Sequence, residues 1–418
     1  VQEKAVAFLQ ESLRGAGLRE VRTVSVAGQP SILNVEGVLP GATDREIVLS
    51  GHYDSVQKSP GAADDASGCG LAIATAAELA RTPLRHTLRI VLFDGEENGL
   101  FGSRGWVKGL SPAARDRILA NVNLEMVGWP GSPGPTIHAI PVPLKEGAAQ
   151  GERVTTPGWL VRAPIDGGRA AGWSFHLADP SFPLAMQLLL RGTRVHFGAD
   201  SGSFLELGIP AVTLSDSSFF KLDPVYHRPT DKPERLDASR LESWTRAVAA
   251  TVRQLDRLDR RPASDNDYLV LVNRVWSRWT LAGLGLGLAV LLGVLMIQRR
   301  LLARDWPFPV LLAAACLVAP TLAIPLLTLP ALLAFIRPSG GWRRLLWTLL
   351  GLLPSLLYLL LLFFAFAARL SSWKAGYQES GIGALLVLAA LVAWSFLPRD
   401  FTPRAPAAAA APPTPLAS

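Results

Sequence analysis

Apolar positions change their period several times along the first 260 residues. Val6, Leu9 and Leu13 recur at the spacing of one helix face, with Phe8 beside them, which predicts a helix over residues 1–18. Residues 21–26 and 31–38 alternate as half-buried strands do. Short continuous apolar runs follow at 46–50, 87–93, 118–124 and 210–214, the pattern of strands covered on both faces. Helical spacing lies between and after them, at 67–81, 99–109, 183–191 and 238–260. The alternation predicts an α/β fold with a mostly parallel mixed sheet flanked by helices. Residues 129–181, rich in Pro and Gly and without a clear period, read as a loop or insertion covering a site.

A catalytic domain over 1–262 and a polar linker at 263–268 are expected, and beyond them the pattern changes. Uncharged stretches cover 279–297, 308–336, 345–368 and 381–397. A membrane helix needs about 20 apolar residues, so the expectation is a membrane domain over 269–398 with four spans. The Pro/Ala-rich tail, 399–418, is expected to be disordered. No ionisable residue interrupts the four stretches, which favours an anchor over an ion or proton pathway.

Charge follows the same division. Before Leu269 there are 29 Lys and Arg against 31 Asp and Glu; after it, 12 against 3. The net +7 therefore belongs to the apolar third, and no nucleic-acid partner is expected. Cys69 and Cys316 are too few and too far apart for a disulfide framework or a cysteine zinc site. The chain opens at Val1 with neither Met nor a signal-peptide pattern, which raises the expectation of an upstream leader or span.

Open α/β sheets gather their functional residues at the carboxyl ends of the strands. Those ends carry Gly51-His52-Tyr53-Asp54-Ser55, Asp94-Gly95-Glu96-Glu97 and Glu125. The loop after 210–214 holds Tyr226-His227, and Gly61 to Gly68 (GAADDASG) turns a loop into a helix. Two histidines and several carboxylates converging at one rim are ligand types that zinc accepts.

GHYDS, GAADDASG, DGEENGLFGS and YHRPTD resemble, in this order, the signatures of co-catalytic zinc exopeptidases of the aminopeptidase and glutamate carboxypeptidase II superfamily. The resemblance implies the zinc exopeptidase fold, two zinc ions and a peptide substrate. It implies His52, Asp64 and Glu125 around one zinc and Asp64, Glu97 and His227 around the other, with Asp64 shared. Glu96 falls at the general base, and Asp54 at the position that orients His52 by a hydrogen bond. Tyr226, next to a ligand, is placed to hydrogen-bond a developing oxyanion. Asn123-Leu124-Glu125-Met126 departs from the family's usual Asn-x-Asp-Met, an exchange shared with membrane-bound relatives resembling the endoplasmic-reticulum metallopeptidase.

The expected function is a membrane-anchored zinc exopeptidase, an aminopeptidase first. The multi-pass chain would hold its catalytic domain outside the cytoplasm, with the lipid bilayer as its second partner. A glutaminyl-cyclase-like transferase on the same fold is one alternative, and a non-catalytic receptor or scaffold is the other. His86, His138, His176 and His196 are expected to be structural, Asp65 to cap a helix, and Asp200 and Asp216 to lie near substrate-side loops.

Overall fold

The computed structural model describes residues 2–132, 134–139, 142–146, 153–177, 199–217, 223–263, 268–271, 274–298 and 307–318. Helix α1 (Gln2–Gly15) comes first and buries Leu9 and Leu13 while leaving Phe8 exposed. Strands β1 (Arg19–Val26), β2 (Gln29–Leu39) and β3 (Thr43–His52) follow. Helix α2 (Ser67–Leu79), strand β4 (His86–Phe93), helices α3 (Phe101–Gly109) and α4 (Pro112–Arg117) and strand β5 (Ile118–Glu125) complete the first half. Next come short strands β6 (Thr136–His138), β7 (Val142–Pro143) and β8 (Arg153–Val154), helix α5 (Gly158–Ala170) and strand β9 (His176–Leu177). Helix α6 (Ser201–Leu205), strand β10 (Ala211–Ser215) and helix α7 (Ala238–Leu255) lead to a hairpin of β11 (Tyr268–Leu271) and β12 (Arg274–Ser277).

Eight of these strands form one mixed sheet in the order β1-β2-β4-β3-β5-β10-β6-β9. Its centre, β4-β3-β5-β10, is parallel, and antiparallel pairings join β2 to β4 and β6 to β10. Alternate residues of a strand point to opposite faces, and the apolar runs supply both. Ile47, Leu49, Leu88, Ile90 and Leu92 join a core with α1, α2, α5 and α7. Val48, Val91 and Phe93 face the other way, onto Trp106 and Val107 of α3 and Phe204 of α6. Parallel strands end on one edge, so the carboxyl ends of β3, β4, β5 and β10 share a rim.

The segment 129–181 contains more order than its sequence pattern predicts. Pro164, Gly167 and Gly168 disguise α5, a 13-residue helix. Gly167 permits its close packing on α7: a side-chain carbon there would meet the Thr251 backbone nitrogen at 2.6 Å. Asp216, just past β10, ties this region together. Fully buried, it accepts from the Gly128 and Trp129 N–H groups at 2.6 and 3.1 Å and from Trp244 Nε1 at 2.9 Å, and it pairs with Arg240. Asp216 thus fastens the end of β10 and the segment after β5 to α7. The helix expected at 183–191 lies outside the described residues, as does His196.

Helices α8 (Arg278–Gln298) and α9 (Pro307–Val318) belong to a second compact unit. Among the described residues no helix is long and apolar enough to cross a membrane. Side chains of α8 are described to Leu291 and at Val294, and α9 has 12 residues. The later apolar stretches and the tail 399–418 lie outside the described residues.

Replacing Asp216 by Ala orphans a guanidinium and three buried N–H donors. Breaking a buried pair in this way costs about 3–5 kcal/mol, which chemical denaturation should read as a lowered midpoint, with a smaller loss for Asp216→Asn.

Candidate metal centre

Two clusters of ligand-type side chains meet at the rim, and one carboxylate touches both. His52 Nε2 lies 3.3 Å from Asp64 Oδ1 and 3.2 Å from Glu125 Oε1. His227 Nε2 lies 3.2 Å from Asp64 Oδ2 and 3.0 Å from Glu97 Oε2. The five candidate ligands, 175 residues apart at their extremes, are therefore brought together as two sets sharing Asp64. Glu96, Glu97, Asp64, Glu125 and Tyr226 line one cavity of about 120 Å³.

The donor set suits cations. Asp64 Oδ2 and Glu97 Oε1 are buried without a hydrogen-bond partner, a costly arrangement unless a positive charge completes it. Burial, then the charge of Glu125, pushes Glu96 up to about 10. Burial also raises Glu125 and Glu97, the latter helped by Asp64. Burial opposes a charged His52, but Glu125, Asp54 and Asp64 outweigh it and raise that pKa. Acids crowded in this way are short of positive charge, and zinc with carboxylate and imidazole ligands supplies it.

Neighbouring carboxylates hold the backbone that carries several of the candidate ligands. The Asp65 carboxylate accepts from His52 N at 3.2 Å, Met126 N at 3.0 Å and Gly68 N at 3.0 Å, joining the ends of β3 and β5 to the start of α2. Asp65 also groups with His52 and Glu125 by proximity, but these three bonds occupy its oxygens, leaving Asp64 as the better ligand. Asp65 therefore caps α2, as expected, and clamps two strands as well. Glycine at 68 is required there, since a side-chain carbon would meet both Asp65 oxygens at 2.5 Å.

Asp54 contacts His52, as expected of it, and does more besides. The nearer partner of His52 Nδ1 is the Asp54 carbonyl, at 3.0 Å, with the Asp54 carboxylate at 3.4 Å. A carbonyl only accepts, so Nδ1 carries the proton and Nε2 turns its lone pair toward Asp64 and Glu125. The carboxylate of Asp54 also accepts from the N–H groups of Glu96 and Glu97, at 3.1 and 3.2 Å. Burial would raise its pKa, but His52 and these donors hold it below the ordinary carboxylate range.

Asp231 carries a role that the motif YHRPTD contained without declaring. Fully buried, it accepts from Ala63 N at 2.7 Å and Asp64 N at 3.2 Å, fastening the loop of Asp64 to the loop of His227. Tyr226 stacks on the His227 ring, with centroids 3.7 Å apart, and burial together with Asp64 raises its pKa. His227 and Met126, which follows Glu125, hold positive φ values of 57° and 51°, a strained backbone that clusters at functional sites. Asp200 is fully buried, neither of its oxygens has a hydrogen-bond partner, and burial raises it to about 7. His86 bridges Thr43 and the Leu258 carbonyl, away from the cavity, whereas His138 bonds the Ser217 carbonyl and also lines the cavity.

The sequence profile of peptidase family M28 matches residues 34–252, a span that contains every candidate ligand. The aminopeptidase YwaD of Bacillus subtilis is 26% identical over 220 residues, which are 52% of this chain and 42% of that protein. An aminopeptidase of Pseudomonas aeruginosa is 32% identical over 90 residues, 22% of this chain and 17% of the relative. The solved structure of BSAP, a zinc aminopeptidase from Bacillus subtilis, superposes with a TM-score of 0.43 at 25% identity, covering 53% of this chain and 50% of that one. The chain spans less than half the length of these curated relatives.

Loss of the Asp231 carboxylate frees the N–H of the shared ligand Asp64. Supporting residues of this kind are worth about 10–100-fold in metal affinity. A competition titration with a zinc-binding dye should show a loss of that size for Asp231→Ala and a smaller one for Asp231→Asn.

Proposed function

The chain belongs to peptidase family M28, and from that membership we propose that it is a membrane-anchored zinc exopeptidase, an aminopeptidase, with two zinc ions at the sheet rim. The observation that carries this reading is the Asp64 carboxylate, whose two oxygens face His52 and His227 separately. His52, Asp64 and Glu125 would hold one zinc and Asp64, Glu97 and His227 the other. Zinc bound there supplies Lewis acidity, which polarises a peptide carbonyl and acidifies water.

The protein's own groups do the rest. Glu96 lines the cavity beside the ligands and takes a proton from water, then delivers it to the leaving amine. The Asp54 carboxylate holds the Glu96–Glu97 backbone in place for this. The hydroxyl of Tyr226, which also lines the cavity, donates to the oxyanion. The names of two relatives, both aminopeptidases, support that activity, and with it a peptide substrate, over the alternatives. A non-catalytic scaffold has no need of a complete ligand set around a cavity, nor of Glu96 beside it.

The four uncharged stretches after residue 278 support a membrane anchor. Positive charge flanking them differs too little between the two sides to set orientation, and large domains translocate largely regardless of it. An extracytoplasmic catalytic domain is the proposed arrangement.

Glu96→Gln should lower turnover on aminoacyl substrates at least about 100-fold while two zinc ions per chain persist by elemental analysis. Near-normal turnover would refute the role of Glu96, and a single zinc would refute the paired site. A panel adding N-terminal glutaminyl peptides separates hydrolysis from cyclisation. For the anchor, the full chain should stay with the membrane pellet at alkaline pH, and protease added to intact cells should remove the catalytic domain.

A further inference from the structure

We propose that the metal cavity selects peptides whose first residue carries a short, uncharged polar side chain (threonine, serine or asparagine), and that the hydroxyls of Ser201, Thr213 and Ser215 make the selection. The inference rests on the aminopeptidase reading above, which puts the amino-terminal residue of the substrate in this cavity. Thr213 and Ser215 alternate with Val212 and Leu214 along β10, so they share the strand face on which Ala211 packs toward α6. Ser201 opens α6. All three hydroxyl residues line the cavity that also holds Asp64, Glu96 and Glu125, and all three are buried. Ser215 stands in register with Glu125 on the neighbouring strand, so this wall begins about 5 Å from a candidate ligand.

Each hydroxyl brings one proton to donate. Ser201 Oγ and Thr213 Oγ1 lie 2.7 Å apart, so one proton makes that bond and the other has no acceptor among the described residues. Ser215 Oγ accepts from Ser217 N at 3.0 Å, and its own proton likewise has no such acceptor. Two buried O–H donors are thus left for whatever fills the cavity. An apolar side chain there displaces water from them and leaves them unpaired, a cost that an acceptor oxygen avoids. Charge is disfavoured too. Apart from the acids of the metal centre, which zinc offsets, the described lining contains no Asp, Glu, Lys or Arg, so a charged side chain would be buried without an opposite charge. The volume of about 120 Å³, small beside the roughly 300–1,000 Å³ of sites for drug-sized ligands, favours a short side chain. Met126, Val142 and Leu205 complete the lining and suit the methyl of threonine.

Threonine and valine share one branched shape, so comparing them isolates the polar contact. The test gives the full chain, purified in detergent and supplied with zinc, threonyl, valyl, asparaginyl and leucyl arylamides. Threonyl should exceed valyl, and asparaginyl leucyl, each at least about tenfold in kcat/KM. Ser215→Ala should lower the threonyl-to-valyl ratio at least about threefold, and so should Ser201→Ala combined with Thr213→Val, which removes the second donor. A general loss of stability lowers both substrates alike and leaves that ratio in place. Calorimetry with threonine hydroxamate and valine hydroxamate reads the same preference without turnover. Equal hydrolysis of the threonyl and valyl substrates, or a ratio that neither variant moves, would overturn the proposal and leave the aminopeptidase reading standing. A chain that hydrolyses no arylamide but binds threonine hydroxamate over valine hydroxamate keeps the selective wall and loses that reading. Neither hydrolysis nor selective binding overturns both.

Discussion

The carboxylates of Asp64, Glu96, Glu97 and Glu125 share one largely buried cavity, and their repulsion in a poorly solvated place must be offset by cations or by protons. Much of the local architecture follows from that demand. Asp65, Asp54 and Asp231 spend their own oxygens on backbone N–H groups, so that the loops beneath the ligands cannot relax away from one another. Three acids engaged by backbone donors thus brace the acids proposed to bind metal. Each of these acids joins two segments: β3 to β5, the β3 end to the β4 end, and the Asp64 loop to the His227 loop.

The sheet makes such convergence possible. With β4, β3, β5 and β10 parallel and adjacent, their carboxyl ends deliver His52, the Glu96–Glu97 turn and Glu125 to one edge without long excursions. The loop carrying Asp64 crosses that edge between β3 and α2. A parallel sheet needs both faces covered, and the two cores meet that need while leaving the rim open.

That geometry is why so much was legible in the sequence. Continuous apolar strands marked β3, β4 and β5, and polar residues immediately after them marked the rim, while the resemblance to zinc exopeptidases picked the five candidate ligands out of those residues. What escaped notice depends on contacts between distant segments. Helix α5 hides behind Pro164 and paired glycines because it is set by packing on α7, not by its own propensity. That the Asp54 carbonyl approaches His52 more closely than its carboxylate does leaves no trace in residue identity. Asp231 was visible within a motif, but its duty becomes evident only when its oxygens meet Ala63 and Asp64. Asp216 likewise gave no sign of Arg240 and Trp244 across 24 and 28 residues.

Glu125 shows how an altered ligand is accommodated. A glutamate has one more rotatable bond than aspartate, and so more conformers to lose on binding a cation. Here a buried polar chain removes that freedom in advance. Asn121 donates to Ser50 Oγ at 2.8 Å, and Ser50 donates to Asn123 Oδ1 at 2.8 Å. Asn123 Nδ2 then donates to Glu125 Oε2 at 3.4 Å. Asn121, Ser50 and Asn123 are all fully buried. Residues 121, 123 and 125 share one face of β5, so the relay runs straight to the ligand. With Oε2 held, Oε1 is presented to His52 and the space beside Asp64. The longer arm is constrained by the strand that carries it, and the departure from aspartate is compatible with the proposed ligand set.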